Sequence, residues 1–224
     1  MSLHDLWWLP DGTREDDLLL KVAHQDPISR NFDVEEEAYP IPAVPAWRLE
    51  RSNTNVFRSV LLYDDNLKPV FEGPFYLDID CVEGSIDLDD AAKVTTTVVE
   101  SLLGWNVEQK DLRILFSGHK GFNVEVRPEA LGVRSSYGSG NQVGWAKARR
   151  RIIAAVQQSA SFERRNPINV VSSKGTVIDR IHGHLRLVGS KNAWIDDSGK
   201  TRTATKSVIS IDELRFCDWN AFSG

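Results

Sequence analysis

Tyr76-Leu77-Asp78-Ile79-Asp80-Cys81, read together with Phe116-Ser117-Gly118-His119-Lys120-Gly121-Phe122 further along, decides how this chain is understood. In a strand, successive side chains alternate, so Asp78 and Asp80 share one face while Leu77, Ile79 and Cys81 take the other, towards a core. Two adjacent carboxylates repel unless a cation lies between them. Hard oxygen donors so arranged suit Mg2+ or Mn2+, whose coordination is usually completed by substrate phosphates. The plain alternative is a pair of solvated carboxylates on an open edge. Against it stand the apolar neighbours Phe75, Tyr76, Leu77, Ile79 and Val82, because unpaired charge in a buried strand is costly.

The segment Ser117-Gly118-His119-Lys120-Gly121 offers a hydroxyl, an imidazole and an ammonium from one tight turn, with two glycines that let backbone approach a phosphate. Carboxylates for metals and a turn for phosphates are the two halves that phosphoryl transfer requires. A third carboxylate is needed to bridge two metals. Asp179, after the β-branched pair Val177-Ile178, is the best placed, and Arg186, Lys191 and Arg202 are candidates for the remaining phosphate oxygens. A solvated polar loop is the alternative for that region. His182 and His184 find no Cys or His at zinc-ligand spacing, which argues against zinc.

Composition bounds the rest. A chain of 224 residues, 41% hydrophobic, can fill a substantial core as one large domain or two intimate lobes. Cys81 and Cys217 fit no metal-binding spacing, and no stretch reads as a signal peptide or membrane span; this points to a reducing cytoplasm and no membrane partner. The net charge of −5 supplies no global field for nucleic acid. Charge is unevenly distributed, however. Acidic runs such as Glu15-Asp16-Asp17 and Glu35-Glu36-Glu37 lie early, whereas Lys147-Ala148-Arg149-Arg150-Arg151 is basic. Arg149, Arg150 and Arg151 are therefore candidate nucleic-acid contacts, with a solvated helix face as the alternative.

Along the chain, the prolines of Tyr39 to Pro45 predict an extended connector. Strands are expected over Phe57–Tyr63 and Pro74–Cys81, and a helix over Asp89–Leu103 with Gly104 as its stop. Leu112–Phe116 and Phe122–Val126 read as a hairpin, and Gly132–Gly144 as a mobile loop. A basic amphipathic helix follows over Val143–Ala160. Pro167–Val171 is a short strand candidate, and Asp179, His182 and His184 are expected in a loop between Val177-Ile178 and Leu185–Val188. Asn192–Lys206 reads as polar and turn-rich, and Ser207–Ile211 as a last strand.

The order of these motifs resembles the archaeo-eukaryotic primase superfamily: replicative primase small subunits, primase-polymerases and the polymerase domains of bacterial end-joining ligases. Leu77-Asp78-Ile79-Asp80 resembles its first motif and Ser117-Gly118-His119-Lys120-Gly121 its second. Val177-Ile178-Asp179 with Arg186-Leu187-Val188-Gly189-Ser190 resembles its third, so the likeness spans about Phe57 to Ser190. It implies an α+β fold, a primase-polymerase catalytic core in which an RNA-recognition-like sheet packs against a second α/β part. The whole chain would be one catalytic domain, with residues 1–56 an N-terminal part and 57–211 the core.

The resemblance also implies template-directed nucleotidyl transfer. Asp78, Asp80 and Asp179 would hold two Mg2+ or Mn2+ ions, and Ser117, His119, Lys120, Arg186 and Lys191 would contact the nucleotide. Arg51 and Arg58 are weaker candidates for substrate contact. Nucleoside triphosphates, single-stranded or primed DNA, and a helicase or other replication or repair protein are the implied partners. Lys191-Asn192 stands where replicative small subunits often carry a histidine, and the cysteines of a zinc knuckle are missing. The missing knuckle favours a compact bacterial, viral or plasmid-type primase-polymerase. The rival readings are a catalytically silent single-stranded nucleic-acid-binding module, an end-joining-type repair polymerase domain and a metal-dependent nuclease.

Overall fold

The structure is a computed structural model that describes residues 9, 13–26, 31–50, 54–81, 86–133, 136, 142–159, 176–179, 184–196 and 198–222. In chain order its elements are β1 (Leu19–Gln25), β2 (Phe32–Pro40), α1 (Val44–Glu50), β3 (Asn55–Tyr63), β4 (Pro69–Glu72), β5 (Phe75–Asp80), α2 (Leu88–Gly104), β6 (Leu112–Phe116), β7 (Gly121–Val126), α3 (Gln142–Ser159), β8 (Val177–Asp179), β9 (His184–Arg186), β10 (Lys191–Ile195), β11 (Thr201–Thr205), β12 (Ser207–Ile209) and α4 (Ile211–Phe216). Helices and antiparallel sheets are mixed, as the α+β expectation requires, and the chain divides into two compact units. One comprises Met1–Pro74, Ser135–Gly138 and His182–Lys206; the other comprises Phe75–Arg134, Ser139–Ile181 and Ser207–Gly224. The expected division between residues 56 and 57 falls inside β3.

The second unit holds a five-stranded antiparallel sheet in the order β12-β6-β7-β5-β8. Apart from β12, its chain runs β5-α2-β6-β7-α3-β8, a split strand-helix-strand arrangement in which β7 lies between β5 and β6. Alternation along β5 sends Phe75, Leu77 and Ile79 into a core with Phe122, Val124 and Val126 of β7 and with Leu88, Ala91, Val94, Val98 and Leu102 of α2. Each of these side chains larger than alanine contributes about 1.5–3 kcal/mol on burial, so the sheet-helix contact fixes which face of β5 is inward. The Asp87 side chain caps α2 by accepting from the Asp90 N–H, and Asp89 and Asp90 suit the positive end of its dipole. The Trp219 N–H donates to Asp89 Oδ1 at 2.9 Å, and the Leu88 N–H donates to Asn220 Oδ1 at 2.9 Å. The Trp219 ring packs on Phe122, with centroids 4.9 Å apart.

In the first unit β3 is central, pairing with β1 on one edge and with β4 and β9 on the other, while β2 extends the sheet beyond β1. Leu20, Val22, Val56 and Leu62 pack with Ile41, Val44, Trp47 and Leu187.

The structure departs from the sequence expectations in several segments. Tyr39 to Pro45 is no extended connector: β2 runs to Pro40, Ile41–Ala43 is a 3-10 turn and Val44–Glu50 is helical. Pro42 and Pro45 sit in the first turns of these segments, where the missing N–H would have had no intrahelical partner. The polar Asn192–Lys206 stretch contributes the hairpin β10–β11, held by Asn55, whose Oδ1 accepts from the Ala193 N–H at 2.8 Å. Asp179 and His184 lie in strands β8 and β9 rather than in a loop. Gln142–Gly144 belong to α3. The last strand ends at Ile209 because Ser210 starts α4 through a capping box with Glu213. Pro167–Val171, most of the Gly132–Gly144 loop, Arg51 and His182 lie outside the described residues. Among the described residues no helix is long and apolar enough to cross a membrane.

Candidate functional site

With Leu77 and Ile79 committed to the core, the pleat puts Asp78 and Asp80 on the other face of β5. Their partners in register on β7 are Asn123 and Gly121. Asn123 is only 3% exposed; its Nδ2 donates to Asp78 Oδ1 and to the Phe122 carbonyl, the latter at 3.1 Å. On the other side of β5, Asp78 stands opposite Asp179, and Asp80 opposite Val177. A row Asn123, Asp78, Asp179 therefore runs across β7, β5 and β8.

Gly121 is needed beside Asp80. A Cβ there would lie 2.0 Å from the Ile79 carbonyl oxygen and 2.6 Å from Asp80 Oδ1. Its bare backbone leaves that carboxylate its place on the face. The turn before it is tied to β5: the Ser117 N–H donates to the Gly121 carbonyl at 2.9 Å, the Gly121 N–H donates to Ser117 Oγ at 3.2 Å, and the Cys81 N–H donates to the Lys120 carbonyl at 2.8 Å. The last of these bonds brings Lys120 alongside Asp80, and Lys120 Nζ lies 2.9 Å from Asp80 Oδ2. Gly118 has φ +88°, which favours glycine, and His119 is half-buried. Further along the same face Arg113 pairs with Glu125, its Nε donating to Oε2 at 2.9 Å. Burial pushes the Cys81 thiol up to about 11, which disfavours the thiolate a metal would need.

The structure thus assembles Asp78, Asp80, Lys120, the Ser117–Gly121 turn and the backbone of Asp179 in one unit. Arg186 and Lys191 belong to the other unit, Arg186 with its guanidinium 5.2 Å from the Phe57 ring centroid and Lys191 exposed at the start of β10. Arg202 Nε donates to Asp196 at 2.7 Å. Arg58 is 2% exposed and donates from Nη1 to the Ser59 carbonyl at 3.2 Å. Arg150 and Arg151 are exposed on α3, whose Ile153 and Val156 face the core; the Arg149 side chain lies outside the description. Among the described residues no cluster of three or more His, Cys, Asp and Glu forms a metal site, the Asp179 side chain being outside that description.

Sequence reasoning passed over Asn123, Gly121 as a steric requirement, and the Arg113–Glu125 pair. A signal was present: Gly121, Asn123 and Glu125 alternate with Phe122, Val124 and Val126, so one face of β7 is polar. No protein-family model matches the sequence, and no curated protein matches it.

Proposed function

We propose that the chain is a template-directed nucleotidyltransferase of the primase or primase-polymerase kind, its second unit an RNA-recognition-like sheet bearing the catalytic carboxylates. The observation that carries this reading is the register of Asp78 opposite Asp179, with Asp80 on the same face of β5 and the Ser117–Gly121 turn fastened beside it. Residues far apart in sequence thereby meet on adjacent strands, and cross-strand partners share a face.

Mg2+ or Mn2+ fits this donor set. The ligands are hard carboxylate oxygens, and glycine at residue 121 keeps any side chain from pressing on Asp80 Oδ1. Asp78, Asp80 and Asp179 would hold the ions, which would neutralise charge developing on a transferring phosphoryl group. Asn123 fixes the carboxylate of Asp78 through its amide. Lys120 screens Asp80. Ser117, His119 and Lys120 meet the triphosphate, and Arg149, Arg150 and Arg151 the template.

The test is incorporation of labelled nucleotide on single-stranded DNA, with and without a primer, in Mg2+ and in Mn2+. Template-dependent incorporation that disappears in Asp78→Ala is expected; none under any of these conditions would overturn the reading. A second reading, a silent nucleic-acid-binding module, is favoured by the Lys120–Asp80 ion pair, which neutralises one carboxylate without any metal. Strand binding in a gel shift with no incorporation would select it.

A further inference from the structure

The first unit carries a second constellation, which the transfer reading does not use. The face of its sheet away from Leu20, Val22, Val56 and Leu62 bears rings and cations in two groups on either side of Ser59. Lys21 Nζ sits 5.5 Å from the Tyr63 ring centroid, and the Lys21 N–H donates to Ser59 Oγ at 3.1 Å. Ser59 is the partner in register of His184. The His184 ring stands edge-on to Phe32 at 5.5 Å, Phe32 edge-on to Phe57 at 5.1 Å, and Arg186 lies over Phe57. Burial and then the charge of Lys21 hold the His184 imidazole below its ordinary value, so it is an uncharged ring near neutral pH. Its Nε2 is buried and has no hydrogen-bond partner among the described residues. Phe32 is 42% exposed, although nothing about a strand position demands an aromatic ring in water.

We propose that this row, Tyr63, Lys21, His184, Phe32, Phe57 and Arg186, is a binding platform for a single strand of nucleic acid. Rings offer stacking faces to bases without regard to sequence, and interleaved cations meet the phosphates between them. The steps of β3 from Phe57 to Tyr63 span about 20 Å at roughly 3.3 Å per residue, the reach of a few nucleotides. The platform needs neither metal nor nucleoside triphosphate, so it stands or falls apart from the transfer reading.

The experiment measures fluorescence anisotropy of a labelled oligothymidylate with the full chain in EDTA, at a series of salt concentrations. Phe32→Ala should weaken binding roughly tenfold, the loss of one stacked base, and Phe32→Tyr should restore it. Lys21→Gln should lower the slope of log affinity against log salt by about 0.7, one phosphate contact on a single strand. Phe222→Ala, an exposed ring in the other unit, should change nothing. Wild-type affinity in Phe32→Ala, or an unchanged salt slope in Lys21→Gln, would overturn the proposal. So would polyglutamate competing as well as unlabelled oligothymidylate, which would assign the row to an acidic protein segment. The Lys21 and Phe32 variants are read independently, so misfolding of one leaves the other decisive.

Discussion

The hairpins β6–β7 and β10–β11 both turn with the help of a glycine at positive φ, Gly118 at +88° and Gly199 at +78°, yet their turns are fastened by different means. In β10–β11 a single carboxylate does the fastening. Asp196 Oδ1 accepts from the backbone N–H groups of Ser198 and Lys200 and from the Ser198 hydroxyl, while Oδ2 accepts from Arg202 Nε. A Cβ at Gly199 would meet nothing within 4 Å. In β6–β7 the Ser117 hydroxyl closes the turn, Lys120 reaches to Asp80 on another strand, and Gly121 is pressed against β5. A turn that consumes its own charges is local architecture. One that directs its charge to a neighbouring strand and gives up a side chain to make room is what the proposed site requires.

The largest expected effect tests what the β6–β7 turn serves. Asp78→Ala or Asp80→Ala should reduce nucleotide incorporation by roughly a hundredfold or more while the thermal unfolding transition is retained, as expected when an electrostatic component of a transition state is removed. Near-normal incorporation by either variant would reduce the β6–β7 turn to architecture like its counterpart.

Stability separates the two glycines next. Gly121→Ala forces a methyl into the Ile79 carbonyl and should cost about 3 kcal/mol or more by urea denaturation, as β5 and β7 must part. Gly199→Ala suffers only the left-handed backbone, about 1–2 kcal/mol. Equal costs would erase the distinction.

Asn123→Ala leaves Asp78 without its amide partner and should raise the Mn2+ concentration for half-maximal incorporation about tenfold, the usual effect of losing a group that orients a metal ligand. An Asn123→Gln variant that recovered part of the loss would sharpen the point.

The smallest effect lies in the other turn. The Ser198 hydroxyl and Arg202 hold the Asp196 carboxyl well below its ordinary value of 3.8. A depressed carboxyl contributes stability above its unfolded-state value and loses it as pH falls through the folded one. Protection of the β10 and β11 amides, measured relative to their intrinsic exchange at each pH, should therefore fall only below about pH 3.8. Loss of protection already near neutrality would mean that something other than Asp196 closes this turn.

Much of the second unit was legible in the sequence because its elements bury one clean side. Ala91, Val94, Val98 and Leu102 repeat at helical spacing, and Phe75, Leu77 and Ile79 alternate. Apart from β3, the first unit hid most of its strands. Glu35, Glu36 and Glu37 interrupt any alternation in β2, where the register with β1 also shifts, and β11 is Thr-Arg-Thr-Ala-Thr, with scarcely an apolar residue to bury. Asp78 and Asp80 stood out because two like charges on one strand are chemically conspicuous. Asn123 did not. An uncharged amide acquires meaning only from the residue opposite it, and that is fixed by strand register, a relation between distant segments.

The attachment of Trp219 and Asn220 to the start of α2 has a temporal consequence. During synthesis β5 and α2 leave the ribosome early, yet the Leu88 N–H and the Asp89 carboxylate wait for partners more than a hundred residues downstream. The first unit waits too, since β3 lacks the β9 edge of its sheet until His184–Arg186 emerge. Neither half can complete its folding before the other has been almost wholly translated. Contacts of such sequence separation fold slowly and leave sheet edges open meanwhile, so the nascent chain is most exposed to mispairing just before its last helix appears.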